Sequence, residues 1–196
     1  MTNDQNVKNI SECGSRVVAE QRSTSMAVLE TDRLSLRRFV TDDAQFILTL
    51  VNEPSFLRYI GDRKVRNLED ARQYILSGPA TSYERHGFGL YLVELRESHT
   101  PIGMCGLLKR AELSDPDIGF AFLPDYWNQG FAFEAAFSVL QDAAQTLRIR
   151  RVLAITSLDN DASIKLLQRL GFSFEGVTKL SNDGEQVKLF TRASPE

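Results

Sequence analysis

Residues 117–147 constrain this chain more than any other stretch. An apolar run, "DIGFAFL", reads as a strand. Pro124 and the polar residues of "PDYWNQ" break it, and a long helix then opens on Gly130. Glycine is among the poorest helix formers, so its place at a helix start asks for a reason. The first N–H groups of any helix lack internal acceptors and carry partial positive charge. A strand feeding such a helix through glycine, with small Ala132 just beyond, leaves the backbone open to close approach by an anion, above all a phosphate. On the residues alone the plainer alternative, a glycine that merely ends a loop, stays open.

Other phosphate patterns fail. There is no G-x-x-x-x-G-K-[ST], and "HGFGLYL" offers Gly87 and Gly89 but Leu92 where a third glycine belongs, with a strand following instead of a helix. Partners and compartments are narrowed by composition. A net charge of −3 gives no field that favours nucleic acid or an anionic membrane. No apolar run approaches the roughly 18 residues of a membrane helix, and "MTNDQNVKNISECGSR" lacks the basic start and apolar core of a signal peptide, so a cytoplasmic protein is expected. Cys13 and Cys105 are too few for a disulfide framework, and His86 and His99 show no ligand spacing, so no metal is expected.

Residues 1–26 are polar and aperiodic and read as a mobile tail; a single domain is expected over 27–196. It opens at "LETDRLSLRRF", where Leu34 and Leu36 alternate with Ser35 and Arg37 as in a half-buried strand. "TDDAQFILTLVNEP" predicts a helix capped by Thr41 or Asp42 and ended before Pro54. A second helix follows Asn67, and a short one is possible before Gly87. "FGLYLVEL" and "IGMCGLLKR" form a hairpin. The helix from Gly130 to Leu147 places Phe133, Ala136, Phe137, Leu140, Ala144 and Leu147 on one face and Glu134, Ser138, Gln141, Asp142 and Gln145 on the other. Strand "RVLAIT", helix "ASIKLLQRL", strand "FSFEGV", turn "NDG" and strand "QVKLFTR" complete the chain. The order predicts an α/β (α+β) domain: a mixed, largely antiparallel central sheet of about seven strands, with helices on both faces.

Three ordered stretches resemble one family. "DIGFAFLPDYWNQGFAFEA" resembles the acetyl-CoA motif of the GNAT acetyltransferases, and more narrowly the RimJ/RimL-like branch of ribosomal-protein N-terminal acetyltransferases, with Trp127 where the wider superfamily carries Gln or Arg. "RLSLRRF" is similar to that branch's opening strand, and "LDNDASIKLLQRLGFSFEG" to its later motif through Asn160, Ser163, Ile164, Leu170, Gly171 and Phe172. Together they span residues 28–192. The resemblance implies a GNAT fold and an N-acetyltransferase that uses acetyl-CoA as co-substrate, transferring directly in a ternary complex.

It also implies roles. The backbone N–H groups of Asn128, Gln129, Gly130, Phe131, Ala132 and Phe133 would cradle the coenzyme's pyrophosphate. Phe122 and Leu123 would line the pantetheine arm by their backbone, with an N–H near Phe122 polarising the thioester carbonyl. Asn160 would bond the pantetheine, or cap its own helix, or both. Asp117 stands where relatives carry a basic-acting Glu, with a solvated surface role as its competitor. The tyrosine many relatives use as an acid is replaced by Leu167, leaving Ser163 as the substitute donor, or as a local capping residue. One arginine of "RIRR" could reach the 3′-phosphate, and Cys105 reads as core. The acceptor implied is a protein N-terminal α-amine, with a small-molecule amine as the alternative and a non-catalytic acyl-CoA sensor as the rival of another class. The acceptor cleft would lie between the helices of residues 55–87 and the final hairpin, where Arg58, Arg63, Lys64 and Arg66 could select charge. A homodimer is common in the branch.

Overall fold

The computed structural model describes residues 26–180 and 184–193; the expected tail and most of the "NDG" turn lie outside the described residues. One sheet of eight strands runs through the molecule in the order β1-β2-β3-β4-β5-β6-β8-β7. The strands are β1 (Ala27–Glu30), β2 (Leu34–Arg37), β3 (Leu90–Leu95), β4 (Pro101–Leu108), β5 (Asp117–Phe122), β6 (Arg151–Ser157), β7 (Ser173–Lys179) and β8 (Gln186–Ala193). All pairings are antiparallel except β5 with β6. The strand beyond the seven expected is β1, a four-residue edge whose "AVLE" is too short to show a period.

Helices cover both faces. On one side α1 (Ala44–Val51), α2 (Pro54–Tyr59) and α3 (Leu68–Ile75) bury Ile47, Leu50, Phe56 and Ile75 against Leu92 and Met104. On the other, α5 (Phe131–Gln145) and α6 (Asp161–Arg169) pack on Val93, Cys105, Ile118 and Ala154. Between α3 and β3 the chain makes a π turn over 76–80 and a short α4 (Thr81–His86), which ends on left-handed Gly87.

Three local expectations need correction. The β2 residues do not alternate in burial: Leu34, Ser35, Leu36 and Arg37 are all buried, because the sheet is covered on both faces here. Arg37 meets Asp43 through two bonds of 2.8 Å and Glu94 at 3.1 Å. Neither Thr41 nor Asp42 caps the first helix. A 3-10 turn occupies Thr41–Asp43, and it is the Asp43 carboxylate that accepts the Val40 N–H at 2.9 Å.

The face of α5 is also rotated from the expected one. Its buried side is Phe131, Ala135, Ala136, Val139, Leu140 and Ala143, while Phe137 is exposed and Phe133 half-buried. Alanines let the helix sit close on the sheet, and the bulky pair turns to the flank. There Phe133 stacks on Phe137 at 5.9 Å, and the Arg169 guanidinium lies 4.7 Å over the Phe133 ring.

Candidate active site

The parallel pair at mid-sheet opens almost at once. Asp117 of β5 is in register with Leu153 of β6, and no further pair follows between these strands. Leu153 N–H bonds Pro116 O at 2.9 Å, closing that end. On its other edge β5 stays paired with β4 as far as Phe122, and Leu123 N–H bonds Ile102 O at 2.9 Å. Antiparallel ladders alternate, so this phase turns the amides of Asp117, Gly119 and Ala121 toward β4 and those of Phe120 and Phe122 toward the gap that β6 leaves. The Leu123 N–H is thus spent on the sheet, and of the two expected backbone contacts only Phe122 presents an N–H to the gap. Its side chain is core. A Cβ on Gly103 would stand 2.5 Å from the Phe122 ring, which explains glycine at that neighbouring position.

At the open end the chain crosses a 3-10 turn (Pro124–Tyr126) and enters α5. Trp127 donates its indole Nε1–H to Phe122 O at 2.8 Å, pinning the loop to the last residue of β5. Asn128 and Gly130 both take positive φ, +59° and +84°. The Gln129 side chain folds back to Asp125 O at 2.8 Å, so only its backbone is available to a ligand. Residues 127–130 are exposed. The bonds of α5 begin with Glu134 N–H on Gly130 O at 3.0 Å, which leaves the Phe131, Ala132 and Phe133 amides at the end where helical acceptors run out. Among the described residues, a Cβ on Gly130 would meet Arg33 Nη2 alone, at 3.4 Å. Among the described residues nothing else crowds that side, so these amides are open to an anion, and the residues fit a pyrophosphate.

Asp117 occupies the closed end of the gap. Its solvated alternative is overturned: the residue is 1% exposed, and both carboxylate oxygens accept from Arg110 Nε at 3.0–3.1 Å. Burial pushes its carboxyl above the usual range, with the Arg110 charge opposing. Along β5 its side chain shares a face with Ala121 and Leu123, which pack on the α1–α3 side, opposite α5.

Beyond β6, Asn160 Oδ1 accepts the Ser163 N–H at 3.1 Å and so caps α6. Its amide nitrogen stays available. Ser163 is half-buried, and its hydroxyl has no hydrogen bond among the described residues. Leu167 is buried core and can donate nothing. Cys105 is fully buried, and burial raises its thiol far from the reactive range. Next to this helix start, a cavity of about 470 Å³ is lined by Arg58 of α2, by Ser157 at the end of β6 with Leu158 and Asp159 beyond it, and by Glu185 and Gln186 entering β8. Arg58 pairs with Asp159 at 2.9 Å, and Arg66 pairs with Asp62. Thus two of the four cations noted in sequence are already partnered.

Three contributors were not legible in sequence: Arg110, which holds Asp117; the Trp127 indole bond; and Arg33, which stands against the glycine turn. The arginines of "RLSLRRF" were the available signal for the last, since no strand alternation accounts for them.

The chain matches the Acetyltransferase (GNAT) domain family over residues 33–173. Among relatives, the uncharacterized N-acetyltransferase YoaA of Bacillus subtilis (strain 168) is 32% identical over 153 residues, covering 78% of this chain and 86% of YoaA. Among solved structures, the acetyltransferase from Agrobacterium tumefaciens str. C58 superposes with a TM-score of 0.74 at 20% identity, covering 89% of this chain and 99% of that one. The ribosomal L7/L12 α-N-protein acetyltransferase RimL, solved with coenzyme A, gives a TM-score of 0.74 at 20% identity, over 86% and 98% of the two chains. The splayed strand pair, the glycine turn and the family match agree: this chain belongs to the GNAT family and is an acetyltransferase.

Proposed function

We propose that this acetyltransferase takes its acetyl group from acetyl-CoA and delivers it to a primary amine, the α-amine of a protein N-terminus. One juxtaposition carries the reading: two rows of backbone N–H groups without partners among the described residues meet at the same place. The Phe131, Ala132 and Phe133 amides at the start of α5 suit a pyrophosphate. The gap-facing edge of Phe120 and Phe122 suits an extended, amide-bearing arm that replaces the missing strand pairing. When bound, acetyl-CoA supplies an activated thioester; the protein supplies position and proton traffic.

The Phe122 N–H, aimed into the gap, is the preorganised donor for the carbonyl oxygen. Asp117 takes the proton from the acceptor ammonium through water, and its burial makes it a stronger base than a surface aspartate. The neutral amine then attacks the thioester carbon, the carbon–sulfur bond breaks, and the Ser163 hydroxyl gives its proton to the departing sulfur and regains one, through water, from the nitrogen that has just been acylated. The amide nitrogen of Asn160 holds the arm while its oxygen caps α6. The acceptor enters from the α2 side, through the cavity where the Glu185 carboxylate, beside the Arg58–Asp159 pair, suits an ammonium group. The fold-level likeness to RimL supports a protein N-terminus as that acceptor.

Calorimetric titration with acetyl-CoA, followed by thiol release over a panel of N-terminal peptides and small amines, tests the reading. Saturable binding and turnover of peptides is expected. Absence of binding to folded protein would overturn the co-substrate, and turnover of small amines alone would overturn the acceptor.

A further inference from the structure

Arg33 and Glu134 lie inside two of the stretches that mark the family, yet neither has a part in the mechanism above. The structure joins them. The Glu134 carboxylate accepts from Thr31 Oγ1 at 2.6 Å, from the Arg33 backbone N–H at 3.1 Å and from Arg33 Nε at 2.7 Å. A second guanidinium nitrogen stands 2.6 Å from the same carboxylate. The far side of the guanidinium donates Nη1–H to Gln129 O at 3.0 Å, and its face lies 4.4 Å over the Phe131 ring. Arg33 therefore sits between Glu134 and the glycine turn. Thr31 is itself fixed, because its hydroxyl accepts the Leu34 N–H at 2.9 Å. The β1–β2 turn is thereby fastened to the phosphate loop by named bonds.

The charges matter because Glu134 lies in the first turn of α5. A carboxylate there complements the helix dipole and stabilises the fold, but it competes with any anionic ligand for the same positive end. Arg33 cancels that competition. We infer that the Arg33–Glu134 pair is a charge-setting device that holds the phosphate turn near neutrality and so fixes the affinity for a diphosphate ligand. Arg33 is a positioning residue for the turn, and Glu134 keeps coenzyme affinity below what an uncompensated arginine would give. The inference rests on the turn being the pyrophosphate site.

The test uses the chain's sole tryptophan, Trp127, as a fluorescent reporter, with coenzyme A and pantetheine as ligands. The charge of the pair itself is zero in the wild type, −1 in Arg33→Ala, +1 in Glu134→Gln and zero again in the double variant. Expected coenzyme A affinity follows that order. Glu134→Gln binds about threefold or more tighter, Arg33→Ala about tenfold or more weaker, and the double variant returns to within about threefold of wild type. Pantetheine, which lacks the pyrophosphate, follows none of these steps. A double variant as weak as Arg33→Ala, or a Glu134→Gln variant that binds no tighter, overturns the inference. Parallel losses for both ligands overturn it too, since they would mark a merely structural effect. A wild type that binds pantetheine but gains nothing from the pyrophosphate of coenzyme A would instead overturn the placement of the phosphate site.

Discussion

Gly130 shows how one residue can be required for two separable reasons. Its φ of +84° is a left-handed conformation that a side chain resists, at roughly 1–2 kcal/mol. The space around it is nonetheless open: among the described residues a Cβ would meet Arg33 Nη2 alone, at 3.4 Å. Within the protein, then, the substitution is limited by backbone strain and not by collision. Gly130→Ala should unfold about 1 kcal/mol more easily while losing more than about tenfold in acetyl-CoA affinity, because the added methyl occupies the side from which phosphate approaches. Urea unfolding beside calorimetric titration separates the two. A variant that loses stability but keeps its affinity would show that the glycine serves the backbone alone.

The same separation applies to elements, and here the sequence was least informative. Arg37 looked like the polar half of an alternating strand. In the fold it ties β2 to β3 through Glu94 and to the 3-10 turn before α1 through Asp43, and all three residues are buried. His99 Nδ1 extends the cluster at 3.1 Å from Glu94. Truncating one member of such a network leaves charge buried without its partner, a loss of about 3–5 kcal/mol. Arg37→Ala should therefore lower the urea midpoint far more than Arg38→Ala, one position along, and equal effects would show the cluster to be uncoupled. What sequence could show were period and punctuation: a helix start after Asn67, Asn160 as a cap, the glycine before α5. Long-range ion pairs leave no such trace: Arg37 lies 57 residues from Glu94, and Arg33 lies 101 from Glu134. The rotated face of α5 has a related cause. Alanine reads as neutral in a hydrophobic pattern, yet small residues are what close contact with a sheet selects.

Across the whole molecule, two carboxylates near the candidate site are displaced in opposite directions, and the pH dependence of stability should report both. Burial of Asp117 raises its carboxyl, with Arg110 only partly opposing. A raised acid contributes stability that is full below its unfolded value, about 3.9, and lost as pH rises through the folded one. For Glu134, burial alone would raise the carboxyl, but the Thr31 hydroxyl and Arg33 more than offset it and hold it low. Its contribution is present above the unfolded value, about 4.3, and lost as pH falls through the folded one. The two variants should then diverge. Asp117→Asn gains on wild type as pH rises through the carboxylate range, since it removes a group that is costly to ionise. Glu134→Gln falls behind wild type over the same rise, since it removes a group that ionisation favours. Glu134 is partly solvated and its share is screened, so its difference curve should be the shallower and should flatten in high salt. Urea midpoints of the three proteins from about pH 3 to about pH 7 decide the matter. Difference curves of opposite slope are expected, and slopes of the same sign would mean that one of the two environments is not as described.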